Sequence, residues 1–397
     1  LGMKIPLLIS VRSDPQIDYA PHKFLTKRME KRAAGCVFQT KDAQAFFGER
    51  LQRKSRIIWN PIDEKYLPEN RKNADSGEKD GGDIVIVTVG RITFEKNQLM
   101  LLKAFNRIKD KFPSAKVRIY GEGEGGDAWK EMDAYIRQNK ITERVEFMGQ
   151  CSSLEKEIKS ASLFVLPSNY EGMSNALMEA MVMGLPVIAT DCPCGGCATL
   201  IEEGVSGFLV PTGDDEKLAK AMERVLSDKE LAGRLSENAG KLSEKAKPQR
   251  IYEEWKNYVE ELTGNYGSGQ KQCMEERMAK QEAKQEAKQG AEQKIIALYI
   301  GSLSKGGAER VIINLADYFQ HEGYRVLLLT ARVDKEEYRV PEGVIRLITE
   351  PNEKELAGGR VSNFAARFRK LRNIWKQEQP DIVLSFIGKN NMMAILT

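Results

Sequence analysis

The chain has 397 residues, more than one hydrophobic core usually serves, with 41% hydrophobic and 30% charged. That balance excludes a wholly disordered or collagen-like polymer and predicts two sizeable domains. The net charge is only +4, yet residues 1–60 carry 12 Lys/Arg against 5 Asp/Glu and residues 294–397 carry 16 against 12, so the segment between them is net acidic at −7. A basic part joined to an acidic part admits an anionic partner, whether nucleic acid, acidic lipid or a phosphorylated substrate.

The opening Leu1-Gly-Met-Lys-Ile-Pro6 lacks the basic start, apolar stretch and small-residue cleavage site of a signal peptide. Leu1 in place of an initiator Met points to a cut chain, and a cytoplasmic setting is expected. Short β-branched or apolar runs follow at residues 6–11, 35–38 and 56–59, then at 84–90, 116–120, 145–148, 163–166 and 186–190, separated by helix-like stretches. This alternation predicts an α/β fold with parallel sheets covered on both faces. Apolar runs such as 84–89 and 163–166 fall far below the roughly 18 residues needed to cross a bilayer. Residues 266–293 hold Tyr-Gly-Ser-Gly and then Ala-Lys-Gln-Glu repeats without an apolar face, which predicts a solvated, partly helical tether.

A second series of strands begins at 295–300, continues at 325–330 and 381–386, and stops. Its missing members are at the other end of the chain, in 6–11, 35–38 and 56–59. Residues 294–397 plus 1–60 are therefore expected to form one domain, 61–248 a second, and 249–265 a helix returning toward the first. The chain order is that of a circular permutation. An engineered permutation and the back of one copy joined to the front of the next both give it.

Six cysteines, Cys36, Cys151, Cys192, Cys194, Cys197 and Cys273, are too sparse for a disulfide scaffold and favour a reducing compartment. Cys192-Pro-Cys194-Gly-Gly-Cys197 offers three thiolates, but a closed zinc site needs four ligands and neither His22 nor His321 is near in sequence. A tight turn after a buried strand is the reading, with no metal site expected.

The strongest constellation is Pro167-Ser-Asn-Tyr-Glu171-Gly-Met-Ser-Asn-Ala-Leu-Met-Glu179, directly after the strand 163–166. Gly172 permits close backbone approach, and Ser174 or Asn175 is a natural N-cap for the helix that follows. Free N–H groups and the positive helix end, reached through Gly172, Met173, Ser174 and Asn175, suit a phosphate. Glu171 and Glu179 on either side of it could grip hydroxyl groups, the layout of a sugar nucleotide: sugar, diphosphate, ribose.

This Glu171-x7-Glu179 string resembles the signature of retaining glycosyltransferases of family 4, whose fold is GT-B, two facing Rossmann-like domains. Val89-Gly-Arg91-Ile-Thr-Phe-Glu-Lys96-Asn resembles the family's basic pair, Ser304-Lys-Gly306-Gly307-Ala-Glu-Arg its first glycine loop, and Ile201 to Val210 a usual downstream segment. The resemblance implies a metal-independent enzyme that uses a UDP-linked sugar. Arg91 and Lys96 would stabilise the departing diphosphate, the task a divalent ion performs elsewhere. Glu171 would hold sugar hydroxyls, Glu179 the ribose, and Gly306 and Gly307 the donor from the other domain. The Asp214-Asp215 pair at a helix start reads as capping.

The loop Gly121-Glu-Gly123-Glu-Gly-Gly126 matches a dinucleotide pattern, but Glu122 and Glu124 would repel a pyrophosphate and no helix start is evident directly after it. The resemblance places Gly121, and the turn near Gly149-Gln150, beside the base. Arg12-Ser-Asp14-Pro15 resembles a bacterial subgroup that builds lipid-linked oligosaccharides and exopolysaccharides, so Arg12 could meet an acceptor phosphate and Asp14 an acceptor hydroxyl. An Asp-Pro turn with a salt bridge is the alternative. His22 reads as a surface residue and His321 as part of a helix C-terminus.

Phe364, Phe368, Leu371 and Trp375 share one face of a basic helix, which could pack on the sheet or rest on an anionic membrane. The expected function is transfer of a sugar to a glycan or lipid-pyrophosphate acceptor. Epimerisation, hydrolysis and non-enzymatic sugar-nucleotide sensing are the alternatives. Nucleic acid is not expected, because no recognisable RNA-binding motif accompanies the Arg/Lys clusters of residues 23–56.

Overall fold

The computed structural model describes residues 5–71, 84–151, 153–267, 293–351 and 359–397. Apart from its ends, the expected tether lies outside the described residues, as does Cys273. Thirteen strands are present among the described residues: β1 (Leu7–Ser10), β2 (Gly35–Phe38), β3 (Ser55–Ile57), β4 (Val85–Val89), β5 (Lys116–Tyr120), β6 (Val145–Gly149), β7 (Leu163–Leu166), β8 (Val187–Asp191), β9 (Phe208–Pro211), β10 (Ile295–Ile300), β11 (Arg325–Thr330), β12 (Ile345–Ile348) and β13 (Ile382–Phe386).

They form two parallel sheets, of order β12-β11-β10-β13-β1-β2-β3 and β6-β5-β4-β7-β8-β9. The chain correspondingly separates into two compact units. One takes the described residues up to Gln39, Ala43–Ile58 and those from Tyr252 on; the other takes Thr40–Asp42 and Trp59–Ile251.

In the first unit the two ends of the chain share one sheet. Leu8 of β1 is in register with Leu384 of β13 on one side and Gly35 of β2 on the other. Both central strands are buried throughout, as expected for parallel strands covered on both faces. Within this unit the residues from Tyr252 onward in the helix Pro248–Gly267 supply the cover. Trp255 stacks on Phe386 with ring centroids 5.8 Å apart, and Tyr252 stacks on Tyr318 at 5.1 Å. The Tyr258 hydroxyl accepts from the Cys36 N–H at 3.1 Å and donates to the Lys54 carbonyl at 2.5 Å. Burial accordingly pushes the Tyr258 phenol up from its usual value.

In the second unit two apolar clusters lie on the two faces of the sheet. One gathers Phe164, Leu166, Leu177, Met181 and Val187; the other gathers Ile86, Leu101, Phe105, Val117 and Val165. Alternate side chains of β7 feed opposite clusters, the period-two rule at work.

Two strands escape the sequence pattern, β9 and β12. Each is a sheet edge; β12 leaves Ile345 and Ile348 exposed around half-buried Arg346 and Leu347 and so lacks the continuous apolar run of a central strand, whereas β9 is a short apolar run, Phe208–Pro211, closed by proline. The basic helix Gly359–Glu378 buries Ala366, Leu371 and Trp375. The expected apolar stripe is therefore a packing face only in its later turns, because Phe364 is 46% exposed and Val361, one turn earlier, 83%.

Candidate active site

The second sheet runs β4, β5, β6 in one direction from its middle and β7, β8, β9 in the other. Between β4 and β7 the loops at the carboxyl ends part, and such a switch point is where open α/β sheets take their ligands. The loops there are 90–97 after β4 and 167–174 after β7, flanked by 121–126 and 192–195. They hold Arg91, Lys96, Gly121, Glu171, Gly172, Met173, Ser174 and Asn175, so the structure brings these predicted residues to one edge.

The two central loops are tied together. Lys96 Nζ pairs with Glu171 Oε1, a partly buried ion pair, and Ser168 Oγ donates to the same carboxylate oxygen at 2.8 Å. Ser168 is itself fixed, since its carbonyl accepts from Thr190 Oγ1 at 2.5 Å. Asn97 Nδ2 donates to Asn169 Oδ1 at 3.0 Å, Asn169 Nδ2 to the Phe94 carbonyl at 2.7 Å, and the Asn169 N–H to the Glu95 carbonyl at 2.8 Å. A hydrogen bond from Thr93 is the main cause that holds the Glu95 carboxyl below its usual range; Tyr170, from the other loop, adds to it. Arg91 is exposed at the rim, while its carbonyl is held by Gln98 Nε2 at 2.9 Å.

The helix Asn175–Val182 begins at this edge. Ser174 is its N-cap, with an extended backbone and a side chain that accepts from the Leu177 N–H. Glu179, one turn in, is only 4% exposed, unlike the solvated helix acid that a bare helix surface would show.

Two glycines set how closely the loops meet. Gly121 has φ +146°, and a Cβ there would overlap the Gly90 carbonyl; a Cβ on Gly196 would overlap the Gly172 carbonyl. Gly121 thus keeps the loop after β5 against the basic loop. The helix Asp127–Gln138 follows at once with Gly126 as its extended N-cap, which corrects the expectation that no helix starts there. The case against a dinucleotide loop rests on the exposed carboxylates Glu122 and Glu124 alone.

The cysteine turn is the support under this site. Gly196 opens the helix Gly196–Leu200 against Gly172, and Cys192 and Cys197 bring their sulfurs to 4.0 Å. That contact lowers the Cys192 thiol and, with burial, raises Cys197. Among the described residues no group of three or more His, Cys, Asp or Glu is placed to hold a metal ion.

The remaining predicted residues lie in the first unit. Gly306 is the extended N-cap of the helix Gly307–His321. Asp14 caps the short helix Pro15–Asp18, accepting from the Gln16 N–H at 2.9 Å. The Arg12 guanidinium lies over the rings of Trp255 and Phe386, 5.4 and 5.1 Å from their centroids, and donates to Ser10 Oγ at 2.7 Å. Burial lowers its pKa, and the ring faces offset that cost. Both residues therefore have internal structural partners. His22 is exposed.

Sequence reasoning missed Asn60, Asn97, Ser168, Asn169 and Gly196. Asn60 carried one weak signal, a polar residue between an apolar run and Pro61.

The fold, two parallel-sheet α/β units, is GT-B. Residues 69–242 match the glycosyl transferases group 1 family and residues 305–394 match glycosyltransferase family 4, so each unit contains a glycosyltransferase domain. Among curated relatives, an uncharacterized glycosyltransferase of Methanocaldococcus jannaschii is 30% identical over 44% of this chain and 49% of its own length. The alpha-D-kanosaminyltransferase of Streptomyces kanamyceticus is 27% identical over 60% of this chain and 66% of its own. The chain spans about half the length of the first of these. The Anabaena HepE protein, solved in complex with UDP, superposes with a TM-score of 0.56 at 20% identity, covering 64% of this chain and 72% of its own. Among the described residues no helix is long and apolar enough to cross a membrane.

Proposed function

We propose that this chain transfers a hexosyl or N-acetylhexosaminyl group from a UDP-linked sugar to a glycan or lipid-pyrophosphate acceptor, with retention of anomeric configuration. The observation that carries the reading is the Lys96–Glu171 pair beside the N-terminus of the helix Asn175–Val182. A cation, a carboxylate and free helix N–H groups meet where a diphosphate and its sugar need them. Lys96 and Arg91 take the charge that grows on the departing diphosphate, Glu171 holds sugar hydroxyls and Glu179 the ribose. The acceptor hydroxyl attacks the anomeric carbon on the face that the diphosphate leaves. The C–O bond to phosphate breaks as the new C–O bond forms, and the acceptor proton passes to the departing phosphate oxygen. No enzyme nucleophile and no divalent metal enter the scheme.

The donor side is residues 61–248, which Trp59 and Asn60 join in the same compact unit, and the acceptor side is residues 294–397 rejoined with the rest of 1–60, in a permuted chain order. The pairing of β13 with β1 supports that division. Arg12 and Asp14 shape the acceptor loop, and Gly306 and Gly307 meet the donor. A relative in Campylobacter jejuni, 25% identical over 66% of this chain and 70% of its own length, acts on an undecaprenol-linked diphosphate glycan, which supports a lipid-linked acceptor. Exposed Val361 and Phe364 on a basic helix support peripheral contact with an anionic membrane, at its cytoplasmic face. Incubation with UDP-sugars and lipid-pyrophosphate acceptors, followed by mass analysis, should show a product heavier by one sugar. Donor hydrolysis alone, or no UDP release at all, overturns the reading.

A further inference from the structure

We propose that Asn60 is a positioning residue that decides which end of the Asn175 amide faces the donor diphosphate; the inference rests on the nucleotide-sugar reading above. Asn60 follows β3, is 5% exposed, and directs Nδ2 to the Met173 carbonyl at 3.2 Å and to Asn175 Oδ1 at 2.7 Å. A backbone carbonyl can only accept, so it fixes the Asn60 amide with its NH2 group toward the loop. One hydrogen goes to Met173, and the other meets Asn175.

Asn175 must answer with its oxygen, which leaves its own Nδ2 as the end open to a ligand. It is the first residue of the helix Asn175–Val182 and is half-buried. A donor is therefore presented beside the free N–H groups, the polarity an anion needs; the reversed amide would present an oxygen and repel it. The same device recurs across the site. The Phe94 carbonyl fixes Asn169, whose oxygen then accepts from Asn97.

The test is calorimetric titration with UDP, with a thermal melt of each protein. Asn60→Ala should weaken UDP binding about tenfold, and Asn60→Asp at least as much, because a carboxylate can donate to neither partner. Asn175→Ala should cost a similar factor, and the Asn60→Ala/Asn175→Ala double variant should bind no worse than either single one. In transfer assays Asn60→Ala should raise the donor KM more than it lowers kcat. A second route leaves Asn60 intact. Asn175→Asp keeps one oxygen toward Asn60 and turns the other to the ligand, so it should bind UDP more weakly than Asn175→Ala. Native UDP affinity in Asn60→Ala, losses that add in the double variant, or equal affinities for Asn175→Asp and Asn175→Ala overturn the inference. Silence of the wild-type protein toward UDP is a different result and overturns the nucleotide-sugar reading itself.

Discussion

The two sheets change direction in the same manner, yet their switch points are furnished differently. In the second sheet the loops after β4 and β7 are bound to each other by an ion pair, an asparagine pair and a Tyr170–Glu95 contact. In the first sheet the switch lies between β10 and β13, and the loop after β10 is tied toward the loop after β11 instead. Ser304 Oγ donates to Asp334 Oδ2 at 2.5 Å and Lys305 pairs with Glu336 at 2.9 Å. After β13, Asn391 spends its amide on the Ser10 carbonyl and the Tyr19 hydroxyl. One sheet thus gathers its side chains at its switch point. The other uses them as internal braces.

That contrast can be broken in stages. Glu171→Gln should reduce transfer most, by about 100- to 1000-fold in initial rate; a loss under tenfold would remove Glu171 from the sugar contact. Lys96→Ala should lower kcat/KM by about 100-fold, against less than about twofold for Lys305→Ala, whose exposed pair contributes little. Equal effects of the two would erase the distinction between the sheets.

Stability should divide the same way. Gly196→Ala drives a Cβ into the Gly172 carbonyl and should destabilise by about 1–3 kcal/mol in denaturant melts, whereas Gly301→Ala, whose Cβ would meet Asn390 at an ordinary 3.6 Å, should stay within about 0.5 kcal/mol.

The smallest effect concerns acid. Hydrogen bonds from Arg332 first, then Ser304 and Ser302, hold the Asp334 carboxyl below its usual range. Its contribution is present above the unfolded value of about 3.9 and is lost as pH falls through the folded one. The stability gap between wild type and Asp334→Asn should therefore be largest near neutrality and close in acid. A gap that widens in acid would reverse the sign.

Much of the loop after β7 was legible because its chemistry is local. Glu171, Gly172, Ser174 and Glu179 sit within nine residues at spacings that a strand-loop-helix unit dictates, and the N-cap at Ser174 needs only the rule for short polar side chains. What could not be read is what joins distant segments. Lys96 meets Glu171 across 75 residues and Asn60 meets Asn175 across 115, and an isolated asparagine carries no periodicity to betray its partner. Gly196 hid inside a run that looked like a turn and nothing more. Arg12 and Asp14 gain partners that the sequence did not show, the rings of Trp255 and Phe386 for one and a helix start for the other. Helix onset after Gly126 was missed because an extended glycine cap has no side chain to announce it.

The open border of the seven-stranded sheet carries a separate consequence. Among the described residues β12 is a sheet edge, with Ile345 and Ile348 40% and 47% exposed and, between them, Arg346 held by Glu337 at 2.7 Å. A charge anchored in an edge strand discourages another chain from adding to it. Arg346→Val removes that charge and should make this border a site for strand addition, read as a faster rise of thioflavin fluorescence on storage of the concentrated protein.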